Sequence, residues 1–167
     1  MNKAILTNFV VDKTNNQINV EREFNAPLLL VWSAWTQPEL LDQWWAPKPW
    51  QARTKWMDFK PGGSWVYAMS GPTGEVHWSR ADFQQIVPQK SFSALDGFCD
   101  EKGTISTDLP RSLWENTFTE NVDSTLVRIV IRYDNLADLE KTVEMGFKEG
   151  FTAGLENLDL YLKGRLN

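Results

Sequence analysis

The chain has few of the residues on which disulfides and metal centres depend. Its 167 residues include one cysteine, Cys99, and one histidine, His77. A single cysteine excludes an intramolecular disulfide and a multi-cysteine zinc or iron–sulfur site, and it is typical of a reducing compartment. One histidine cannot supply a multi-histidine metal site. We therefore expect no metal and no cofactor, and we interpret Cys99 as a small apolar core residue rather than a reactive thiol.

An excess of positive charge is also missing. The chain carries 17 Lys and Arg against 22 Asp and Glu, a net charge of −5, and its basic residues form no cluster. Nucleic-acid binding requires a basic surface that displaces counterions, so we expect no nucleic-acid partner, and an anionic membrane surface is disfavoured for the same reason. The apolar segment 4–11 is short, is interrupted by Asn8 and precedes no small-residue cleavage pattern. We expect a strand there, no membrane span and a cytoplasmic protein.

Length and composition indicate one domain over residues 1–167. A chain of this size that is 42% hydrophobic buries roughly 70% of its unfolded surface, so it needs no disulfide or metal for stability. No repeat, low-complexity segment or long polar linker divides it.

Alternating apolar and polar residues predict an antiparallel sheet. The expected strands cover 4–11, Gln17–Phe24, 51–59, Ser64–Ser70, 75–87, 91–98, 113–120 and 125–133. Pro-Gly, Gly-Pro and Asn-rich turns separate them. Two short helices are expected after the second strand, over Leu28–Thr36 and from Pro38 onward, because proline fits the first helical turn.

A long helix is predicted over 138–163. Its apolar residues recur every three or four positions, so one face must lie on the sheet, which gives an α+β fold. Gly146, Gly150 and Gly154 form a second stripe beside Phe147 and Phe151. Three glycines each cost about 1 kcal/mol of helix propensity relative to alanine, which indicates either a close approach to another element or room for a ligand.

Several motifs together are similar to a known family. They are Phe24-Asn25-Ala26-Pro27, Trp44-Trp45, residues 58–65, Ile86-Val87-Pro88 and the stretch 145–151. These residues resemble the family named after the activator of the Hsp90 ATPase, in its bacterial single-domain branch, within the helix-grip superfamily of START domains and Bet v 1. The resemblance implies a curved antiparallel sheet wrapped around a long C-terminal helix, with two short helices after the first main strand and an extra N-terminal strand. It is specific for fold and weak for function, because the superfamily includes carriers, cyclases and receptors.

Aromatic residues supply the candidate binding site. The chain has nine Trp, nine Phe and three Tyr, and alternation is expected to turn one row of them toward the C-terminal helix. The predicted pocket lining is Trp56, Trp65, Tyr67, Met69, Phe83, Phe92, Trp114, Phe147 and Phe151. The same side chains could instead interdigitate and leave no cavity. Trp44, Trp45 and Trp50 are expected to form either a rim of this pocket or a hydrophobic cap.

No catalytic pair is evident in the sequence. His77 should be exposed if Val76 and Trp78 face the core, and a general base must reach its substrate. Gly62-Gly63 lacks the Lys-Ser/Thr of a phosphate-binding loop. We therefore name no catalytic residue, although a buried Asp96 would be a functional pointer because burial raises a carboxyl pKa.

Three functional hypotheses follow. The first is binding of a small hydrophobic molecule, by a monomer or a homodimer. The second, which follows the family name, is a chaperone partner of the Hsp90 type, although a chain of 167 residues is not expected to hold the additional N-terminal domain of full-length eukaryotic activators. The third is a cyclase-like enzyme in which Tyr67 or Asp96 steers a reactive substrate.

Overall fold

The computed structural model describes residues 7–166, which form one antiparallel sheet with four helices. The strands are β1 (Thr7–Asp12), β2 (Gln17–Phe24), β3 (Gln51–Met57), β4 (Ser64–Ser70), β5 (Val76–Val87), β6 (Ser91–Cys99), β7 (Ser112–Glu120) and β8 (Thr125–Arg132). The helices are α1 (Leu28–Thr36), α2 (Pro38–Trp44), α3 (Leu136–Glu144) and α4 (Phe147–Leu166). The first three residues of the strand predicted over 4–11 lie outside the described part.

The strands are ordered β1-β2-β8-β7-β6-β5-β4-β3 across the sheet. From β3 to β8, each strand pairs antiparallel with its successor, which is the meander that the turns predict. β2 pairs with β8, far along the chain, so α1 and α2 carry the chain from β2 to the opposite edge at β3. The predicted fold class, α+β with a long C-terminal helix, two short helices after β2 and an extra N-terminal strand, is confirmed.

One face of the sheet, called the inner face below, carries the core. Ile18 and Phe24 of β2 are fully buried on this face, as are Val127, Ile129 and Ile131 of β8. Burying an aliphatic side chain of this size stabilises the fold by about 1.5–3 kcal/mol. A slip of one residue in the pairing of β2 with β8 would turn the apolar side chains of the shifted strand to the other face, so the apolar pattern fixes the register.

The single helix predicted over 138–163 is wrong, because the structure has two helices there. α3 ends at Glu144 and α4 begins at Phe147. Between them Gly146 adopts a φ of 87°, a left-handed conformation that glycine reaches without steric cost. The Gly146 N–H donates to the Val143 carbonyl at 3.1 Å, which satisfies a carbonyl at the end of α3. The periodicity continues across this break, which explains why the pattern resembles one helix.

The glycine stripe serves different purposes along α4. A Cβ at Gly154 would lie 3.1 Å from the Trp45 carbonyl oxygen and 3.4 Å from that of Trp44, so α4 approaches the end of α2 too closely for a side chain. Asn157 supports the contact by donating from Nδ2 to the Ala46 carbonyl at 2.9 Å. Close approach therefore accounts for Gly154.

Within residues 7–166, no helix is long and apolar enough to cross a membrane.

Candidate functional site

A cavity of about 240 Å³, called the outer cavity below, lies between the start of α4 and the inner face of the sheet. Its aromatic lining consists of Trp45, Tyr67, Phe98, Trp114, Phe147 and Phe151. Phe147 and Phe151 occupy successive turns of α4 and stack with ring centroids 5.3 Å apart. Trp114 of β7 meets Phe151 edge-to-face at 5.4 Å. These contacts hold the aromatic walls in defined orientations.

The break between α3 and α4 leaves space on the helix side of this cavity. Gly146 and Gly150 both line it, and neither contributes a side chain. A Cβ at Gly150 would find its nearest neighbour, Cγ of Pro47, at 3.8 Å, which is an ordinary van der Waals contact. Open space rather than close packing therefore surrounds Gly150, in contrast to Gly154.

A second, smaller space of about 40 Å³ lies among the core aromatics and is called the inner void below. Trp35, Trp65, Phe83 and Phe92 contribute rings to its wall, and Ala81 and Ala94 contribute small side chains. Three residues line both spaces, namely Trp45, Asp96 and Trp114. The inner void therefore adjoins the outer cavity at these three side chains.

Trp45 holds the wall between the two spaces together. Its Nε1 donates to the hydroxyl of Tyr67 at 2.9 Å. Its ring lies 5.5 Å from that of Trp65 and 5.9 Å from that of Phe151. Trp44 and Trp45, which are expected to belong together to either a rim or a hydrophobic cap, therefore separate, because Trp44 is 1% exposed in the core while Trp45 faces the cavity.

The nine predicted pocket residues fall into three places. Five line the outer cavity, namely Tyr67, Met69, Trp114, Phe147 and Phe151. Trp65, Phe83 and Phe92 line the inner void, as Trp114 also does. Trp56 lines neither space. Whether these residues bind a ligand stays a prediction.

Trp56 lies on the opposite face of the sheet from Thr54, so it does not face inward as the predicted pocket lining requires. The pairing of β3 with β4 shifts between these two residues, so that Thr54 is opposite Tyr67 whereas Trp56 is opposite Val66. This irregularity reverses the alternation for the rest of β3. Trp56 is 38% exposed, and its ring lies close to Gly103 in the loop after β6.

Asp96 is the carboxylic acid of the site. Of the described residues that line either space, Asp96 alone carries a carboxyl group. Burial raises the pKa of this carboxyl to about 7, the positive charge of Arg111 opposes the rise, and Asp82 adds to it. Near neutral pH the group is therefore divided between a neutral acid, which can donate a hydrogen bond, and a carboxylate, which only accepts.

Tyr67 is the second polar group in the outer cavity. Its hydroxyl is buried, and burial raises the pKa of Tyr67 above its ordinary range, with a smaller contribution from the negative charge of Asp96. The phenol therefore stays neutral at physiological pH. It accepts from Trp45, and Ser79, which also lines the cavity, contributes a hydrogen bond to it.

Sequence reasoning missed two polar residues of the inner void, Trp35 and Asn116. Asn116 lies between Trp114 and Phe118 on the inward-facing positions of β7, and all three are buried. The sequence does contain a signal for Asn116, namely a polar residue between two aromatics at alternate positions. A buried amide usually forms hydrogen bonds, so such a residue indicates a polar contact in the interior. Trp35 gives no such signal, since its indole fits an apolar helix face equally well.

His77 and Cys99 lie outside this site. His77 is exposed and stacks on Trp50 with ring centroids 5.5 Å apart. The condition under which the sequence predicts an exposed His77, that Val76 and Trp78 face the core, does not hold, since Ser79, Ala81 and Phe83 occupy the inward positions of β5.

Burial raises the pKa of the Cys99 thiol, which disfavours the nucleophilic thiolate. Across residues 7–166, no three His, Cys, Asp or Glu side chains are grouped to hold a metal ion.

The family described as "Activator of Hsp90 ATPase homolog 1-like protein" matches residues 25–163 of this chain. The chain belongs to this family. The match covers the helix pair, strands β3 to β8 and nearly all of α4, so it includes every residue that lines the outer cavity or the inner void. A comparison with the sequences of curated proteins finds no match.

Solved bacterial structures share the fold over nearly the whole chain. The crystal structure of protein Ms6760 from Mycobacterium smegmatis is 31% identical, with a TM-score of 0.87 over 95% of this chain and 97% of that one. A solution structure from Arthrobacter aurescens is 27% identical, with a TM-score of 0.89 over 94% and 91%. The AHSA1 protein from Silicibacter pomeroyi is 20% identical, with a TM-score of 0.69 over 89% and 99%, a likeness of fold alone.

Proposed function

We propose that this protein binds a small hydrophobic ligand in the outer cavity. The observation that carries the proposal is an aromatic-lined space of about 240 Å³ between α4 and the sheet. Apolar walls with a few polar groups are the usual composition of small-molecule sites. Family membership supports the proposal, because the helix-grip superfamily includes carriers of hydrophobic molecules.

The size and charge of the cavity limit the ligand. Sites for drug-sized molecules occupy roughly 300–1,000 Å³, so a cavity of about 240 Å³ suits a smaller compound of one or two rings. Of the described residues lining the outer cavity, none is Lys, Arg or His. An anionic ligand would therefore lack a cationic partner and would face Asp96, so we expect an uncharged compound.

Gly150→Leu is the variant that tests this function most directly. The leucine would project into the outer cavity, and the space around Gly150 accepts a Cβ without a clash. Gly164→Leu is the matched control, because Gly164 lies on the same helix and a Cβ added there would have no neighbour within 4 Å. Both substitutions improve helix propensity, so a difference between them reports on the cavity.

Thermal unfolding with propylbenzene, indole and naphthalene provides the readout. A compound at about ten times its dissociation constant adds about 1.4 kcal/mol of stability, which raises the melting temperature by about 3–6 °C for a chain of this length. We expect such a rise in the unsubstituted protein and in Gly164→Leu but not in Gly150→Leu. Native mass spectrometry of the gently purified protein should show a retained small molecule with the same pattern.

Equal responses of the two leucine variants would refute the proposal, and so would a complete absence of response in the unsubstituted protein. In either case the second candidate, a partner of an Hsp90-type chaperone, takes precedence, because the match to the activator family over residues 25–163 favours it. Chaperone binding to an outer surface should be the same in Gly150→Leu as in the unsubstituted protein, which separates the two functions.

A further inference from the structure

Two buried polar atoms without a hydrogen-bond partner belong to residues that line the inner void. Within residues 7–166, they are Nε1 of Trp35 and Oδ1 of Asn116. Trp35 and Asn116 are each 3% exposed. Because the large majority of buried polar groups in proteins have a partner, two unpartnered atoms on residues that line one small space point to a group that occupies it.

Neighbouring contacts hold both side chains in these orientations. The Trp35 ring is held edge-on by Trp44 at 4.9 Å and by Phe118 at 6.0 Å. The Asn116 amide donates from Nδ2 to the Phe92 carbonyl at 3.4 Å, which leaves its oxygen free. A partner for these two atoms must therefore come from outside the protein.

The pair of atoms is selective for one kind of group. The indole N–H donates and the amide oxygen accepts, so a hydroxyl within reach of both would accept from Trp35 and donate to Asn116. An ammonium group cannot accept, and a carboxylate cannot donate and would face Asp96. The volume of about 40 Å³ is that of a group of water size, since a water requires at least about 10–15 Å³ of such space.

We propose that the inner void is the subsite for a hydroxyl group, on an alcohol or a phenol, of the ligand whose apolar body occupies the outer cavity. The proposal rests on the proposed function, and it adds the chemical class of the ligand. Trp45, Asp96 and Trp114 line both spaces, so the void lies directly behind these side chains, and the proposed ligand extends its hydroxyl past them from the outer cavity.

Three probes with one apolar body test the subsite, namely 4-propylphenol, its methyl ether 4-propylanisole, and propylbenzene. Their affinities are measured by isothermal titration calorimetry with the unsubstituted protein and with Asn116→Leu, which keeps the volume but removes the acceptor. Trp35→Phe removes the indole donor and serves as an independent variant if Asn116→Leu unfolds. Circular dichroism and urea unfolding establish that each variant is folded before titration.

We expect the ratio of phenol affinity to ether affinity to fall about three- to tenfold in folded Asn116→Leu, as loss of one hydrogen bond implies. In Trp35→Phe, which removes a donor that an ether oxygen can also use, we expect the same fall in the ratio of phenol affinity to propylbenzene affinity. Propylbenzene affinity should change by less than about twofold, because it uses the outer cavity alone. Comparing ratios between variants cancels the difference in hydrophobicity between the probes.

The possible outcomes separate this proposal from the proposed function. If propylbenzene binds but the expected affinity ratio is unchanged in both variants, ligand binding stands and the hydroxyl subsite is refuted. If no probe binds, both proposals are refuted. A crystal structure with 4-propylphenol should place its oxygen within 3.2 Å of Trp35 Nε1, whereas a water at that position with the phenol oxygen elsewhere would overturn the subsite.

Discussion

Replacing Asp96 by Asn is expected to stabilise the protein increasingly between about pH 4 and pH 7. Burial raises the pKa of the Asp96 carboxyl from 3.8 to about 7. The positive charge of Arg111 lowers this pKa, and the negative charge of Asp82 raises it. Tyr67, Tyr133 and Cys99 also interact with Asp96, and burial raises the pKa of each of these groups, which keeps all three neutral across this range. The charged neighbours that matter are therefore Arg111 and Asp82.

The sign follows from proton binding. Between pH 3.8 and about 7 the folded protein retains the Asp96 proton, whereas the unfolded chain has lost it. The folded state binds more protons in this interval, so the free energy of unfolding falls as the pH rises and levels off above about pH 7. Asn cannot ionise, so Asp96→Asn escapes this loss.

The size of the effect is bounded by the pKa. At about 1.36 kcal/mol for each pKa unit, a rise from 3.8 to about 7 corresponds to at most about 4 kcal/mol. Asp96 is only half-buried, since it borders the outer cavity, and contact with water lowers the free-energy cost of ionising its carboxyl group. We therefore expect Asp96→Asn to gain about 2–4 kcal/mol over the unsubstituted protein by pH 8.

Urea unfolding followed by tryptophan fluorescence, at half-unit steps from pH 4 to pH 8, measures this difference. Asp12→Asn is the control, because hydrogen bonds from Asn15 lower the pKa of the exposed Asp12 carboxyl and its removal should give no gain at high pH. A difference between Asp96→Asn and the unsubstituted protein that stays constant across this range would refute the assigned environment of Asp96.

Two further predictions concern α4. Gly154→Ala should destabilise the protein by about 1 kcal/mol, because the added methyl meets a backbone carbonyl at 3.1 Å. Gly164→Ala should instead stabilise it by about 0.5 kcal/mol through helix propensity. Urea unfolding measures both changes, and a stabilising effect of Gly154→Ala would contradict the close approach. Arg22 forms an ion pair with Asp159, so Arg22→Met should cost about 3 kcal/mol by leaving that carboxylate without its cation. Adding Asp159→Asn should recover part of the loss, and no recovery in the double variant would contradict the pairing.

Much of the fold is predictable from local patterns. The bounds predicted for Gln17–Phe24, Leu28–Thr36 and Ser64–Ser70 agree with β2, α1 and β4, because period-two and period-3.6 patterns end there at Gly, Pro or Asn. The apolar stripe also predicts correctly that the C-terminal helix lies on the sheet. These features depend on residues that are close in sequence.

The errors arise where one residue changes the direction of the chain. Gly146 divides the predicted helix, yet the apolar spacing is the same on both sides, so periodicity alone cannot detect the break. The irregularity between Thr54 and Trp56 likewise changes which face Trp56 occupies while leaving the sequence of β3 unremarkable. Both depend on backbone conformations that tertiary contacts select.

The inward face of β5 explains why a cavity is harder to predict than a core. Sequence reasoning assigns bulky residues to the interior, and on β5 it names Phe83 as lining and considers Val76 and Trp78 as core residues. The structure instead turns Ser79 toward the outer cavity and Ala81 toward the inner void, while Trp78 lies on the other face. Small inward residues opposite large aromatic rings are what leave space between helix and sheet. A search for binding sites in this family should therefore give weight to small side chains at alternate strand positions, because a row of bulky inward residues would fill the space that a ligand needs.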